Sequence, residues 1–462
     1  MTLPPIDRDA VVARIAALVA QPSVGADPAF AAGMEGARRL LEARLAELGF
    51  TGARRLTGGG HSALYAERLD APGRPTLLVY GHYDVQPPDP LGLWRTPPFE
   101  PTLRDGRLYG RGASDGKGPT VVALEAMAAL IAADGRLPCN VKVLLEGEEE
   151  TGSPSLPAIL RDNAGLLACE AALSADGGRW RADLPTINVA ARGSGGLEIR
   201  VTTAAKDLHS GRFGGAVGNA LHAAARIVAS LHDAAGRIAV PGLLDGVDTT
   251  AAERAEAAAI PFDEAAFLSA VGAVAPFGDP DFTAAERLWL RPTVECNGMW
   301  GGYQGPGGKT VIPCEARAKL TVRMVAGQRP AAVRAALIAH LRAACPPWAR
   351  LDVTDERGWS PAYALRPDNP LLAAAEDALE AVYGARPLRV RMGASLPLTG
   401  LIAEALGVET VMFSFAVSDE DYHAPNEFFR LSSIDEGVAA WADLLRRVGR
   451  QTPADYRAAA GR

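Results

Sequence analysis

The chain has 462 residues, 48% of them hydrophobic and 22% charged, and a formal net charge of -7. This is ordinary globular usage in a chain long enough for more than one core. A negative balance without a basic stripe argues against a nucleic-acid footprint. The five cysteines, Cys139, Cys169, Cys296, Cys314 and Cys345, are scattered with no C-x-x-C pair, the pattern of reduced thiols in a cytoplasmic protein. In MTLPPIDRDAVVARIAALV no basic stretch leads into an unbroken apolar one, and no run of about 20 apolar residues suggests a membrane span.

In chain order, residues 29–49 carry Met34, Leu40, Leu41, Leu45 and Leu48 among charges, which predicts an amphipathic helix ended by Gly49. TLLVYGHYDV, from Thr76, predicts a strand buried on both faces and stopped by Gly81. Residues 119–131 read as a helix, NVKVLLE as a second buried strand, and CEAALSADGG as a third that ends on Asp176. Such alternation predicts an α/β sheet with ligands gathered beyond the carboxyl ends of its strands. His82 with Asp84, Glu149 with Glu150, and Asp176 all follow strand ends of this kind.

From about residue 191 the texture changes. SGGLEIRVTT and EARAKLTVRMV alternate like half-exposed strands, and residues 218–231 and 331–344 read as helices covering one face, an α+β unit. RPDNP then leads into another helix, and the apolar TVMFSF precedes the polar DEDYHAPNE. The expected layout is an α/β domain, residues 1–190 and 365–462, interrupted by an inserted α+β domain, residues 191–364.

Three common signals are absent. GPGGKT lacks the glycine a phosphate-binding loop needs at Tyr303, GRGASDG has Asp115 where the dinucleotide fingerprint needs a glycine, and no G-x-S-x-G elbow occurs. What remains is a distributed set of imidazole and carboxylate groups: His82, Asp115, Glu150, Asp176 and His423. Zinc accepts this mixture, as do manganese and cobalt. Singly, each residue is equally well a turn former or a surface group; their joint occurrence at strand ends carries the argument. The crowding in VKVLLEGEEETGSPS, where Glu146, Glu148, Glu149 and Glu150 oppose one another's ionisation, would be compensated by two cations sharing a carboxylate.

GHYDVQP, GRGASDGKGP, LEGEEETGS, DLHSG, GGKTVIP and DYHAPNE, in this order over nearly the whole chain, resemble the carnosinase, dipeptidase and aminoacylase family of dinuclear metallopeptidases. The likeness is strongest to the carnosinase and cytosolic nonspecific dipeptidase branch. It implies a zinc-peptidase-like catalytic domain with a central mixed sheet flanked by helices, interrupted by a lid and dimerisation domain. It further implies His82 and Asp176 on one cation, Glu150 and His423 on the other, and Asp115 bridging, with a cis bond to Gly116. Asp84 would orient His82, and Glu149 would be the general base toward the attacking water. Glu148 reads as an ordinary solvated charge and Glu146 is unassigned.

By the same resemblance, His209 in DLHSG reaches across a homodimer to stabilise the oxyanion. Arg323, Thr310, Gly393 and Ser395 lie at the substrate, with Thr310 also reaching the neighbouring active site. Where the branch usually has an acid and a glycine, RMGASLP carries Met392 and Ala394. The expected activity is cation-dependent hydrolysis of dipeptides, with zinc foremost and no nucleic-acid or membrane partner. The alternatives are an N-acyl amino acid deacylase built on the same centre and a non-hydrolytic metal-binding homologue.

Overall fold

A computed structural model describes residues 5–393 and 397–459. Within them the chain forms two compact units. One takes in the chain up to Val189, Leu365–Val390 and the chain from Leu401 onward; the other takes in Ala190–Ala364 and Arg391–Gly400.

The first unit is built on α1 (Ala31–Glu47), β1 (Thr51–Leu56), β2 (Ala63–Arg68), β3 (Thr76–His82), α2 (Gly118–Asp134), β4 (Asn140–Glu146), β5 (Ala171–Ser174), β6 (Thr186–Ala191), α3 (Pro370–Tyr383), β7 (Thr410–Met412) and α4 (Ser432–Val448). Its strands run in the order β1-β2-β4-β3-β5-β7-β6. β3 is parallel to both β4 and β5, and β5 to β7, whereas β1, β2 and β6 join antiparallel. The sheet is thus mixed, as expected. The parallel strands are apolar nearly throughout because they are covered on both faces: Leu77, Leu78, Val141, Val143, Leu144, Ala172 and Leu173 are fully buried. α4 packs on α2 and on α3, with Trp441 fully enclosed.

Two readings of the sequence change here. Gly81 does not stop β3, which continues to His82. A Cβ at Gly81 would lie 2.7 Å from Thr120 Oγ1 and 3.2 Å from a Leu145 methyl carbon, so glycine answers to close packing rather than chain reversal. Gly49, by contrast, does follow its helix with φ of 73°, the left-handed geometry of a helix end. The second change concerns membrane spans. The helical stretch Ala113–Asp134 is long and apolar enough by composition to cross a membrane, yet 72% of its most apolar window is buried inside the protein. An all-round apolar helix is also what a protein core requires.

In the second unit, Thr293–Gly301, Glu315–Met324, Gly193–Thr202 and Arg350–Ser360 form a four-stranded antiparallel sheet in that spatial order. Glu315–Met324 alternates half-buried and buried residues along its whole length. Leu197, Ile199 and Val201 join Ala318, Leu320 and Val322 on one face, where Ala220–Ala229 and Pro330–Ala344 cover them through Ala224, Ile227, Val333 and Leu337. Arg200, Arg317, Glu198 and Glu315 occupy the other face and pair with one another across strands.

Candidate metal centre

Because β3, β4 and β5 are parallel and adjacent, their carboxyl ends open on one edge. His82 is the last residue of β3, Glu149 and Glu150 open a short 3-10 turn soon after β4, and Asp176 lies two residues beyond β5. Asp115 comes from the turn that leads into α2, and His423 from the loop after β7. Residues far apart in sequence therefore meet at one place.

His82 Nε2 lies 3.2 Å from Asp115 Oδ1 and 4.0 Å from Asp176 Oδ1. His423 Nε2 lies 3.0 Å from Asp115 Oδ2 and 3.0 Å from Glu150 Oε2. Asp115 thus presents one oxygen to each imidazole. Donor atoms of His82, Glu149 and Asp176 fall within 4.8 Å of one another, and so do those of His82, Asp115 and Glu150. The peptide between Asp115 and Gly116 is cis. A Cβ at Gly116 would stand 2.4 Å from His82 Nε2, so any side chain there would push the imidazole off its carboxylates.

Asp84 is fully buried beneath this edge. Its Oδ1 accepts the Glu149 N–H at 3.3 Å and its Oδ2 the Glu150 N–H at 3.0 Å. It also sits 3.5 Å from His82 Nδ1, which makes a shorter contact, 3.1 Å, with the Asp84 carbonyl. Asp84 therefore holds the imidazole chiefly through its carbonyl, and its carboxylate holds the turn carrying Glu149 and Glu150.

Charge is expensive in this edge. Burial, and then the Asp176 charge, hold the Glu149 carboxyl well above its ordinary range. Burial raises Glu150 as well and pushes Asp176 up to about 6. His423 is raised to about 10 by its bonds to Asp115 and Glu150. Burial works against a charged His82, but Asp115 and Asp84 outweigh it and hold its proton. Burial opposes the Asp115 charge too, but the two imidazoles override it and keep the carboxyl ionised. Positive charge is favoured among these carboxyls, and the mixture of imidazole nitrogen and carboxylate oxygen suits divalent zinc, manganese or cobalt. The residues present fit such a group.

The acidic turn holds one correction. Glu148 is not a solvated charge: it is buried, its Oε1 accepting the His61 N–H at 2.8 Å and its Oε2 the Ser155 N–H at 3.0 Å. Local sequence could not show this, because one donor lies 87 residues away. Glu146 is buried too, accepts from the Tyr80 and Ser153 hydroxyls, and is pushed up to about 7 by burial.

Four of the remaining expected site residues, His209, Thr310, Arg323 and Gly393, lie in the second unit. His209 and Val311 are cross-strand partners, and the Thr310 carbonyl accepts the Ser210 N–H at 3.1 Å, so His209 and Thr310 are neighbours. His209 is exposed, and its Nδ1 accepts the Gly211 N–H at 3.0 Å. In the neutral ring this leaves the proton on Nε2, which makes that atom the donor. Arg323, half-buried, lies opposite Ser194 and Thr293 in the sheet. The Gly393 carbonyl accepts from Arg192 Nε at 2.7 Å. Ser395 lies outside the described residues.

A fold with a carboxylate and imidazole centre at the ends of parallel strands defines a class, and sequence comparison gives the family. Residues 78–447 match Peptidase family M20/M25/M40, and the chain belongs to it: it is a hydrolase acting on peptide bonds. The resemblance drawn from the motifs is borne out. Over 450 residues, 96% of each chain, it is 29% identical to a cysteinylglycine-S-conjugate dipeptidase of Corynebacterium striatum. Among solved structures it is similar to human carnosine dipeptidase 1, with TM-score 0.76 and 27% identity over 96% of this chain and 97% of that one. It is also similar to an M20 family metallo-carboxypeptidase from Sulfolobus solfataricus, with TM-score 0.81 and 29% identity over 96% and 99%.

Proposed function

We propose that this protein hydrolyses dipeptides with two divalent cations, zinc foremost and manganese or cobalt as substitutes. His82 and Asp176 hold one, Glu150 and His423 the other, and Asp115 is shared. The single observation that carries this reading is the way Asp115 offers separate oxygens to His82 and His423, beside carboxyls whose charge burial opposes. The relatives' names as dipeptidases support the substrate class.

When bound, the cations acidify water and offset negative charge building on the scissile carbonyl. Glu149 accepts the proton of the attacking water on its carboxylate and delivers it to the departing amine nitrogen. Asp84 keeps that carboxylate in place through the backbone N–H it accepts. His209 donates from Nε2 to the developing oxyanion, where a donor acts mainly on the transition state. Arg323, with its planar fork, holds the substrate's terminal carboxylate together with Thr310, Gly393 and Ser395.

In this reading the second unit is a lid and dimerisation domain, the protein is a cytoplasmic homodimer, and His209 and Thr310 serve the neighbouring subunit's active site. The test is an assay of purified protein against a panel of dipeptides and N-acetyl amino acids, before and after cation removal by a chelator. Dipeptide hydrolysis that disappears with the cations and returns with zinc or manganese is expected. Hydrolysis indifferent to the chelator would overturn the cation pair, and a preference for N-acetyl amino acids would replace the dipeptidase reading by the deacylase one.

A further inference from the structure

DEDYHAPNE contributes more than His423. Glu420 and Glu427, three residues before it and four after, are both 0% exposed, a rare state for a carboxylate unless it is paired. Glu427 Oε2 accepts from Arg111 Nη1 at 2.8 Å and from the Gly112 N–H at 2.9 Å. Its Oε1 accepts the Ser114 N–H at 2.9 Å and the Asp115 N–H at 3.0 Å. Glu420 Oε2 accepts the Ser114 hydroxyl at 2.5 Å and the Val417 N–H at 3.0 Å, while its Oε1 accepts the Arg430 N–H and Nη1, both at 3.1 Å. Each of the four oxygens accepts two hydrogen bonds. The Gly110 N–H also donates to the Glu427 carbonyl at 2.9 Å.

Neither glutamate belongs to the donor groups around His82, and the reaction steps do not use them. What they join is informative. Glu427 consumes backbone N–H groups of the segment that carries Asp115, and does so from the loop that carries His423. That loop holds Asp421, His423 and Asn426 at φ of 53°, 64° and 68°, a conformation L-residues keep only when their surroundings impose it.

We infer that Glu427, assisted by Glu420, is a positioning residue that locks the Asp115 and His423 segments into one cradle, so that both ligands are set for the cations before these bind. The inference rests on the proposed cation pair. Fixing the ligands in advance removes an ordering cost from cation binding, which is how groups behind the ligands raise affinity. A role confined to folding would instead lower stability and leave the affinity of the folded protein unchanged.

The experiment uses the full chain stripped of metal and titrated with zinc against a chromophoric chelator, with thermal unfolding of the metal-free form beside it. Glu427→Gln sets an amide against groups that are themselves donors. Zinc affinity is expected to fall roughly 10- to 100-fold while the metal-free fold persists, and activity should recover as the cation concentration is raised. Ser114→Ala removes only the hydroxyl bond to Glu420, and a smaller loss of affinity is expected. Folded Glu427→Gln with wild-type zinc affinity would overturn the inference. If Glu427→Gln does not fold, Ser114→Ala decides: weakened affinity supports the cradle, wild-type affinity overturns it. Wild-type protein that binds no zinc would overturn the cation reading itself.

Discussion

The two units spend their charged residues in opposite ways. In the second, Glu198, Arg200, Glu315 and Arg317 sit on the open face of an antiparallel sheet, half-exposed and paired across strands, where water screens them and each pair contributes little. In the first, His82, Asp84, Asp115, Glu150 and Asp176 crowd one edge of a sheet covered on both faces, with His82 and Asp84 wholly enclosed. Charge on the open face is nearly free of cost, whereas charge at the covered edge opposes folding unless something neutralises it. That asymmetry singles out the covered edge as the candidate site, and it can be broken by experiment.

The largest effect is expected at the base. Glu149→Gln removes the proposed proton acceptor but no proposed ligand, so kcat should fall by about 10²- to 10⁴-fold with cation content unchanged, measured by steady-state kinetics beside elemental analysis. Full activity would remove Glu149 from its role. Next is the core of the second unit. Leu337 is fully buried, and Leu337→Ala should cost about 2–5 kcal/mol in urea unfolding while folded protein binds cations as before. Altered cation affinity in that variant would show that the centre depends on the second unit's packing.

A smaller effect comes from pH acting on metal-free protein. Asp176, raised to about 6 by burial, keeps its proton in the folded state at pH values where the unfolded chain has lost it. Glu149 and Glu150 are raised in the same direction. Folding then binds protons, so stability declines as pH rises above the unfolded carboxyl range near 4. The raised His82 and His423 add stability that is complete below about 6.5 and is lost as pH climbs, towards about 10 for His423. Tm of the stripped protein should therefore fall between pH 5 and 9, and saturating zinc should reduce that fall. A Tm that rises over this interval would contradict the account of the edge. The smallest effect is expected on the open side of the second unit. Arg334 forks onto Asp355 at 2.8 Å through two nitrogens, but both are exposed, and Asp355→Ala should leave Tm and activity within error of wild type.

Much of this was legible without coordinates, for identifiable reasons. Apolar runs mark β3, β4 and β5 because covered parallel strands tolerate few polar residues, and alternation marks Glu315–Met324 because one face meets water. His82, Glu150 and Asp176 could be singled out because each follows such a run. Glu148 could not, since a buried acid and a solvated one look alike in sequence, and only distant backbone donors distinguish them. Glu427 was likewise hidden, because its partners on residues 111–115 are more than 300 positions away.

The sequence by itself determined which segments become strands and helices, which family the chain joins, and which side chains are candidates to hold a cation, because periodicity and residue chemistry are local properties. Only the tertiary structure decided that Asp115 shares itself between two imidazoles, that Asp84 and Glu427 stand behind the candidate ligands, and that Gly81 and Gly116 are required by contacts. Those are relations across space, set by how parallel strand ends and returning loops converge, and no linear pattern encodes a distance of 3 Å between residues so far apart along the chain.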